Sequence, residues 1–575
     1  MQQNSVITSK QNGYQFLIET LTQWGITHYT GMTGGGVIHF LKYIQAYNPI
    51  SIGASGFMTL SEYSAGFCPL GYFLASGRYS AAVATTGTAT KLLGCGLSDA
   101  KLHDIPAVFI VAQSEPKTCG LSPLQDTSEW GSNMIAQLRC ELPEGVFVLD
   151  NPITLVNQLY QAQYQLENKK PIVFVLVHSA LIKPFINPCS LPNLKRATNQ
   201  DEIHSFISSF RDAVKGKKIT ILVGEEMSIV SNAKEITTKL SSVLHAATLW
   251  SLNGANAVDR ENAYGYGYIS FGGNDKAIDW YQNLDQEDVL LILGACPDEY
   301  TVNLRPFNAY RTFYLSHITE PYGRVSEHLL NHTKRNCEFY VGKLELFLNA
   351  LISAAQKQRF EVIKSPKAPL NLNSRVIEKP QKGYVDMALL YQILDSMWPE
   401  NAIGFNDICL AYKDRQYVIQ RPNNRIAFYS LYRGSAMGGA FGLAIGARMA
   451  SPEKPIYCFT GDGCFRLFSG SLGEARHLGL VIFLLNNESL SIVSQGIPSI
   501  IPNLPKSNSH TDVIEIDYCS IAKANGWHAV TLSSDLSELH DLLITPLKKG
   551  DTSLFVNIVV DPSQILGQNP RAKNL

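Results

Sequence analysis

The sequence predicts an α/β protein made of three doubly wound domains. Three observations carry that expectation. Short apolar runs, among them Ser80–Ala84, Ala107–Ala112, Ile172–Val177, ITILVG from Ile219 and VLLILGA from Val289, alternate with longer amphipathic stretches. Such alternation builds parallel sheets with helices on both faces. Two segments rich in Pro, Asn and Lys, one from Leu181 and one over residues 361–383, divide the chain into units at 1–185, 195–360 and 380–575. A chain of 575 residues also exceeds what one hydrophobic core serves.

In the first unit, Tyr14–Trp24 has the spacing of an amphipathic helix and Ile26–Thr30 that of a strand. A glycine-rich turn, Gly31 to Gly36, leads into a helix expected to reach Tyr47. Two helical segments are rich in small residues, AGFCPLGYFLASGR from Ala65 and MGGAFGLAIGARMA from Met437. Their likeness suggests that the first and third units are related domains.

The stretch Pro455 to Ser494 is the most informative. Pro455–Thr460 reads as a buried strand, Gly461-Asp462-Gly463 breaks it, Ser469–Leu478 has helical character, and Leu480–Leu485 is a second strand ending at Asn486-Asn487. Strand, crossover and strand lie parallel, so both carboxyl ends face one crevice, where open α/β sheets bind ligands. Asp462 and Asn487 therefore converge beside a glycine turn and a helix N-terminus. A carboxylate and an amide oxygen are hard ligands suited to Mg²⁺, which usually shares its six positions with phosphate and water. The residues read as a Mg²⁺-diphosphate site.

Composition narrows the class. The chain is 45% apolar and 17% charged with a net charge of -1, which offers no electrostatic basis for nucleic acid or anionic membrane. Its 11 Cys are scattered without a C-x-x-C pair, which fits a reducing compartment. No apolar run reaches membrane-spanning length, and the first residues lack the apolar core of a signal peptide. The expectation is a soluble cytoplasmic protein.

GDG at Gly461–Gly463, joined to the asparagine pair by a strand-helix-strand unit, resembles the thiamine-diphosphate enzymes of the acetolactate synthase and 2-oxo acid decarboxylase superfamily. The likeness covers nearly the whole chain, in the order pyrimidine-binding, central and diphosphate-binding domain. It implies Asp462 and Asn487 as side-chain ligands of Mg²⁺ and the Ser489 carbonyl as a third. It places Gly461, Gly463, Cys464 and Asp407 around the diphosphate, with Cys409 where relatives carry glycine. It makes Met437 the apolar wedge that bends the cofactor and the Ser435 carbonyl the acceptor for its 4′-amino group. Glu62, in TLSEYSAGFCPLGYFLASGR, matches the glutamate that shares a proton with the pyrimidine ring. Relatives place that glutamate across a subunit interface, so at least a homodimer is implied. Gln113, ending PAVFIVAQ, matches a glutamine common among carboligases and synthases; its two readings are a hydrogen bond to a bound oxyanion and a cap on the strand end.

The resemblance implies a carboligase that decarboxylates a pyruvate-like 2-oxo acid and transfers the acyl anion equivalent to a second carbonyl. Gly35 stands where simple decarboxylases carry an acid, and no adjacent His pair occurs in the sequence. After Asn487 the acetolactate synthase substrate segment is replaced by ESLSIVSQGIPSIIPN. The central unit shows no G-x-G-x-x-G, so FAD is not expected. A carbon–carbon lyase or hydrolase, a non-oxidative decarboxylase and an inactive family member serving as a subunit are the competing readings. His28, His39 and His103 are read as structural or surface residues, and the tail from Pro562 as either loose or folded over a site.

Overall fold

The computed structural model describes residues 11–185, 200–269, 271–322 and 336–574. The first domain is a six-stranded sheet of His28–Gly31, Gly56–Thr59, Ala81–Ala84, Val108–Ala112, Val146–Leu149 and Ile172–Leu176. The third is a six-stranded sheet of Ala402–Asn406, Ile426–Tyr429, Ile456–Gly461, Leu480–Asn486, His528–Thr531 and Leu554–Val559. Every pairing in both is parallel. With strands counted in chain order, both sheets run 2-1-3-4-6-5. The likeness of two small-residue helices in the sequence thus extends to the topology of the domains that carry them. Val108–Ala112 and Ile172–Leu176 are buried at every position, as strands covered on both faces must be.

The central sheet runs 3-2-1-4-5-6 through Lys217–Val223, Ala247–Trp250, Gly265–Tyr268, Asp288–Leu293, Arg311–Ser316 and Cys337–Val341. A seventh strand, Val362–Ile363, pairs with Lys217–Lys218 just beyond the expected boundary at 360. This is the order of dinucleotide-binding folds, but the switch point is filled. The first strand runs into Gly224-Glu225-Glu226, and the buried Glu226 carboxylate accepts from Ser316 Oγ at 2.9 Å and from the His317 N–H at 2.9 Å. The His317 Nδ1 lies 3.2 Å from the same carboxylate.

Three local expectations are corrected. The Ser469–Leu478 stretch is two 3₁₀ turns, Ser469–Ser471 and Gly473–Ala475, rather than a helix. Gly470 and Gly473 lose too much backbone freedom to hold an α-helix there. After the glycine-rich turn the helix spans only Ile38–Leu41. Gln45 and Ala46 instead run extended beside Phe57, whose N–H donates to the Gln45 carbonyl at 2.9 Å. Sheet pairing there overrides local helix preference. Pro184–Phe185, in the first linker, forms a short antiparallel pair with Gln11–Asn12; residues 186–199 of that linker lie outside the described residues.

Glu62–Ser76 and Gly439–Ala450, the two small-residue helices, pack directly on each other and join the first and third domains. Their backbones nearly touch. A Cβ added at Gly71 would lie 1.9 Å from the Leu443 carbonyl oxygen, and one at Gly446 would lie 1.9 Å from that of Cys68. The obstacle in each case is backbone, which cannot rotate aside. Arg433 ties in the central domain: it pairs with Glu225 and Asp298, and its Nη1 donates to the Leu102 carbonyl of the first domain at 2.9 Å.

Gly446→Val should therefore destabilise the chain by at least about 3 kcal/mol, through overpacking against backbone. Gly94→Ala, where an added Cβ meets nothing within 4 Å, should be neutral or stabilising by up to about 1 kcal/mol. Denaturant midpoints of the two variants against wild type check the contrast; similar shifts would contradict the packing described.

Candidate active site

The site begins at the carboxyl edge of the third sheet. Ile456–Gly461 and Leu480–Asn486 are neighbours, with Gly461 opposite Leu485, so the residues that follow them emerge side by side. Asp462 is 2% exposed and Asn487 9%. Asp462 Oδ1 accepts from the Gly463 N–H at 2.7 Å, and Oδ2 accepts from the Asn487 N–H at 3.2 Å. Burial raises the Asp462 pKa, and those N–H groups only partly offset it. A bound cation would offset it further. Asn487 Oδ1 accepts from the Ser489 N–H at 3.1 Å. The Ser489 carbonyl accepts from the Ser491 N–H at 2.8 Å and keeps one lone pair. The left-handed backbone of this turn falls on Glu488 (φ 50°), so serine at 489 is unstrained.

Behind these residues, Asp407 organises the wall without facing the cavity. Its carboxylate is buried and accepts from the Gly438 N–H at 2.9 and 3.1 Å, the Ile408 N–H at 2.9 Å and Thr460 Oγ1 at 2.8 Å. Burial pushes its pKa up to about 6 despite these bonds. Asp407 thereby holds the segment Ser435–Gly438 in place. Tyr63 of the first domain donates to the Met437 carbonyl, and Tyr300 of the central domain lies 3.2 Å from Ser435 Oγ. Ser435 has a φ of 53°, a left-handed conformation that costs a non-glycine residue of order 1 kcal/mol. All three domains contribute to this one bend.

The resulting cavity is about 220 Å³. Of the residues marked in the sequence, Ser435, Met437, Gly461, Asp462, Gly463, Cys464, Asn487 and Ser489 line it together. Met437 and Leu490 close over Gly463, where an added Cβ would meet Leu490 Cδ2 at 2.8 Å and Met437 Cε at 3.2 Å. The Gly463 N–H is already bonded to Asp462, whereas the Cys464 N–H lies in a first helical turn with no intrahelical acceptor. Cys409 lines the wall as a buried thiol whose pKa burial raises well above its usual value. Among the described residues no three His, Cys, Asp or Glu side chains cluster as a metal site. The oxygens of Asp462, Asn487 and Ser489 are the hard donor set, which fits Mg²⁺ beside phosphate rather than a soft metal.

The lining residues that the sequence did not single out include Phe271 and Tyr300 of the central domain, and Asn569 and Arg571 of the tail. Phe271 and Tyr300 pack with ring centroids 4.3 Å apart, and Phe271 stacks on Tyr412 at 5.6 Å. Only the assembled domains bring them to the crevice. The tail is folded: Gln564 is buried, and residues 570–573 form a 3₁₀ turn at the cavity.

Glu62 and Gln113 lie elsewhere, on the carboxyl edge of the first sheet. Glu62 opens its helix after Ser61, the N-cap, whose side chain makes no cap bond. The residues flanking Glu62 both bond the third domain, Ser61 Oγ to Ser471 Oγ at 2.9 Å and Tyr63 to Met437. The half-buried Glu62 carboxylate accepts no hydrogen bond among the described residues, and neither Glu62 nor Gln113 lines the cavity. Gln113 donates its backbone N–H to the Leu176 carbonyl at 3.2 Å. The same edge carries a feature invisible in the sequence: His39 and His178, far apart in the chain, stack with ring centroids 3.9 Å apart, and Tyr14 OH lies 3.3 Å from His178 Nδ1. His28 and His103 are internal. Burial lowers the His28 pKa to about 4, and His103 Nε2 accepts from the Arg433 N–H at 3.1 Å.

Comparison with known proteins matches both ends of the chain. The family described as thiamine pyrophosphate enzyme, N-terminal TPP binding domain, matches residues 11–133, and thiamine pyrophosphate enzyme, C-terminal TPP binding domain, matches residues 411–558. The chain is similar to acetolactate synthase isozyme 2 large subunit of Escherichia coli (strain K12), 22% identical over 90% of both chains. It is also similar to acetolactate synthase large subunit of Buchnera aphidicola subsp. Schizaphis graminum, 23% identical over 96% of this chain and 95% of the relative. The fold matches a Rhodococcus jostii RHA1 thiamine diphosphate-dependent 4-hydroxybenzoylformate decarboxylase with a TM-score of 0.72 at 16% identity, covering 96% of this chain and 99% of that one. No helix among the described residues is long and apolar enough to cross a membrane.

The Asp407 carboxyl gives a pH test of the wall. Its folded pKa of about 6 lies above the usual 3.8, so the fold favours the protonated form. The stabilisation from that proton is complete below 3.8 and is lost as pH rises through about 6, a loss of about 3 kcal/mol. Asp407→Asn keeps the shape without the titration. Denaturant unfolding of the ligand-free protein should show the variant gaining on wild type between pH 4 and 7; a constant difference would refute the assignment.

Proposed function

We propose that this chain, which belongs to the thiamine-diphosphate-dependent enzyme superfamily, is a Mg²⁺-dependent carboligase. It decarboxylates a pyruvate-like 2-oxo acid and transfers the acyl anion equivalent to a second carbonyl. The observation that carries this reading is the convergence of Asp462, Asn487, Ser489 and Met437 on one cavity at a sheet's carboxyl edge. When bound, thiamine diphosphate supplies the nucleophilic carbon and the electron sink that decarboxylation needs. Asp462 Oδ, Asn487 Oδ1 and the Ser489 carbonyl would hold Mg²⁺ against the diphosphate. Met437 would support the bent cofactor from below, and the Ser435 carbonyl would accept from its amino group.

Glu62 would hold the proton that the pyrimidine ring exchanges, and Gln113 would donate to a substrate oxyanion. Both stand on the first sheet's edge and neither lines the cavity of their own chain. A second copy of the chain would supply them, so the active form is a homo-oligomer with shared sites. The described cysteines are all free thiols, which supports a cytoplasmic setting. Acetolactate synthase relatives over nearly the full length support the carboligase direction. A second reading, non-oxidative decarboxylation, is favoured by the His39–His178 stack, a proton source on the same edge as Glu62.

Two experiments decide. Supplied with pyruvate and other 2-oxo acids, with and without aldehyde acceptors, the holoprotein should release CO₂ and form a new carbon–carbon bond, read by mass. Aldehyde alone from every donor would favour the decarboxylase. Glu62→Gln should leave thiamine diphosphate binding within about twofold while turnover falls by about 10²–10⁴. Turnover near wild type would remove Glu62 from its role.

A further inference from the structure

We infer that Arg571, on the C-terminal tail, selects the donor by receiving its carboxylate at the cavity. The inference rests on the reading of the cavity as a thiamine-diphosphate site for 2-oxo acids, and it adds the element that recognises the acid. Arg571 is the one basic side chain among the described residues lining the cavity, which otherwise presents the Asp462 carboxylate, amides, hydroxyls and apolar groups. Two anions must enter such a site. The diphosphate would be met by a cation on Asp462 and Asn487 and by backbone N–H groups. Among the described residues lining this cavity, a donor carboxylate finds no comparable partner except the Arg571 guanidinium, whose planar fork matches it.

The tail is built to hold that side chain. The Gly567 N–H donates to Asp414 Oδ1 at 2.8 Å, Lys413 Nζ donates to the Gly567 carbonyl at 3.0 Å, and the Gly272 N–H donates to the Gln568 carbonyl at 3.0 Å. Lys413 and Asp414 are themselves a buried ion pair at 2.6 Å. A Cβ at Gly567 would lie 2.1 Å from the Lys413 carbonyl oxygen, so only glycine lets the tail pass here. Beyond this anchor Asn569 Oδ1 accepts from the Arg571 N–H at 3.1 Å and fixes the turn. Glu299 of the central domain meets Arg571 Nε at 3.2 Å. The Nη groups make no hydrogen bond among the described residues and remain available. Phe271 and Tyr300 line the same cavity.

The test compares wild-type, Arg571→Gln and Arg571→Lys holoprotein. Four quantities are read: KM and kcat for pyruvate, the Kd of methyl acetylphosphonate (an anionic analogue that cannot lose CO₂) by calorimetry, and the Kd of thiamine diphosphate with Mg²⁺. Arg571→Gln should raise both KM and the analogue Kd roughly tenfold to a hundredfold. Its kcat should stay within about threefold and its cofactor Kd within about twofold, with Arg571→Lys recovering part of the loss. An unchanged analogue Kd would overturn the inference and leave Arg571 a surface ion-pair partner of Glu299. Weakened cofactor binding with unchanged analogue binding would overturn it in favour of the diphosphate. Should wild type turn over no 2-oxo acid, the proposed function fails on its own ground. The analogue Kd then still decides Arg571, and failure of wild type to bind the analogue overturns the assignment.

Discussion

The contact between the helices Glu62–Ser76 and Gly439–Ala450 governs the arrangement of the site. Each helix starts at the carboxyl edge of its own sheet, one immediately at Glu62 and the other just after Met437-Gly438. Fixing the two helices backbone to backbone at Gly71 and Gly446 fixes where those starting points stand. Tyr63 and Ser61 can then reach Met437 and Ser471. The hydrogen bonds at the domain junction are short-range and follow from the packing. Helix contact sets the frame, and polar groups then pin the bend at Ser435–Gly438.

Within that frame, burial and charge are kept in tension. Asp407 and Asp462 are both carboxylates taken out of water, and both have raised pKa values. They resolve the cost differently. Asp407 is saturated by backbone and hydroxyl donors and serves as a structural acceptor. Asp462 takes only backbone N–H groups and lines the cavity, so it retains acceptor capacity toward a ligand. Two aspartates of similar burial thus differ in role because one faces protein on all sides and the other faces space.

The fold and the convergence of the GDG turn with Asn487 were legible in the sequence because both follow from local patterns. Strand, GDG turn, strand and Asn-Asn lie within one stretch, and parallel topology carries their ends to one edge. The repeated small-residue helices announced the duplicated sheets. What escaped the sequence depends on contacts between distant segments. Phe271, Tyr300 and Arg571 reach the cavity only because the central domain and tail close on the third domain. His39 and His178 stack only because the first and last strands of the first domain deliver them to one edge. The failed helix over Ser469–Leu478 had an apolar pattern, but its two glycines left no backbone preference to sustain it. The resemblance put Asp407 in a phosphate loop, and its bond from the Gly438 N–H could not be seen without the turn.

The filled switch point of the central sheet has a consequence for how this architecture can diversify. The Glu226 side chain occupies that crevice, and the same domain contributes Phe271 and Tyr300 to a neighbour's cavity. Its wall-forming loops can change length or character without disturbing Asp462 and Asn487 in the third domain. Part of the cavity wall and the Asp462–Asn487 edge are thereby carried on separate pieces of chain, so that one can be remodelled while the other is inherited intact.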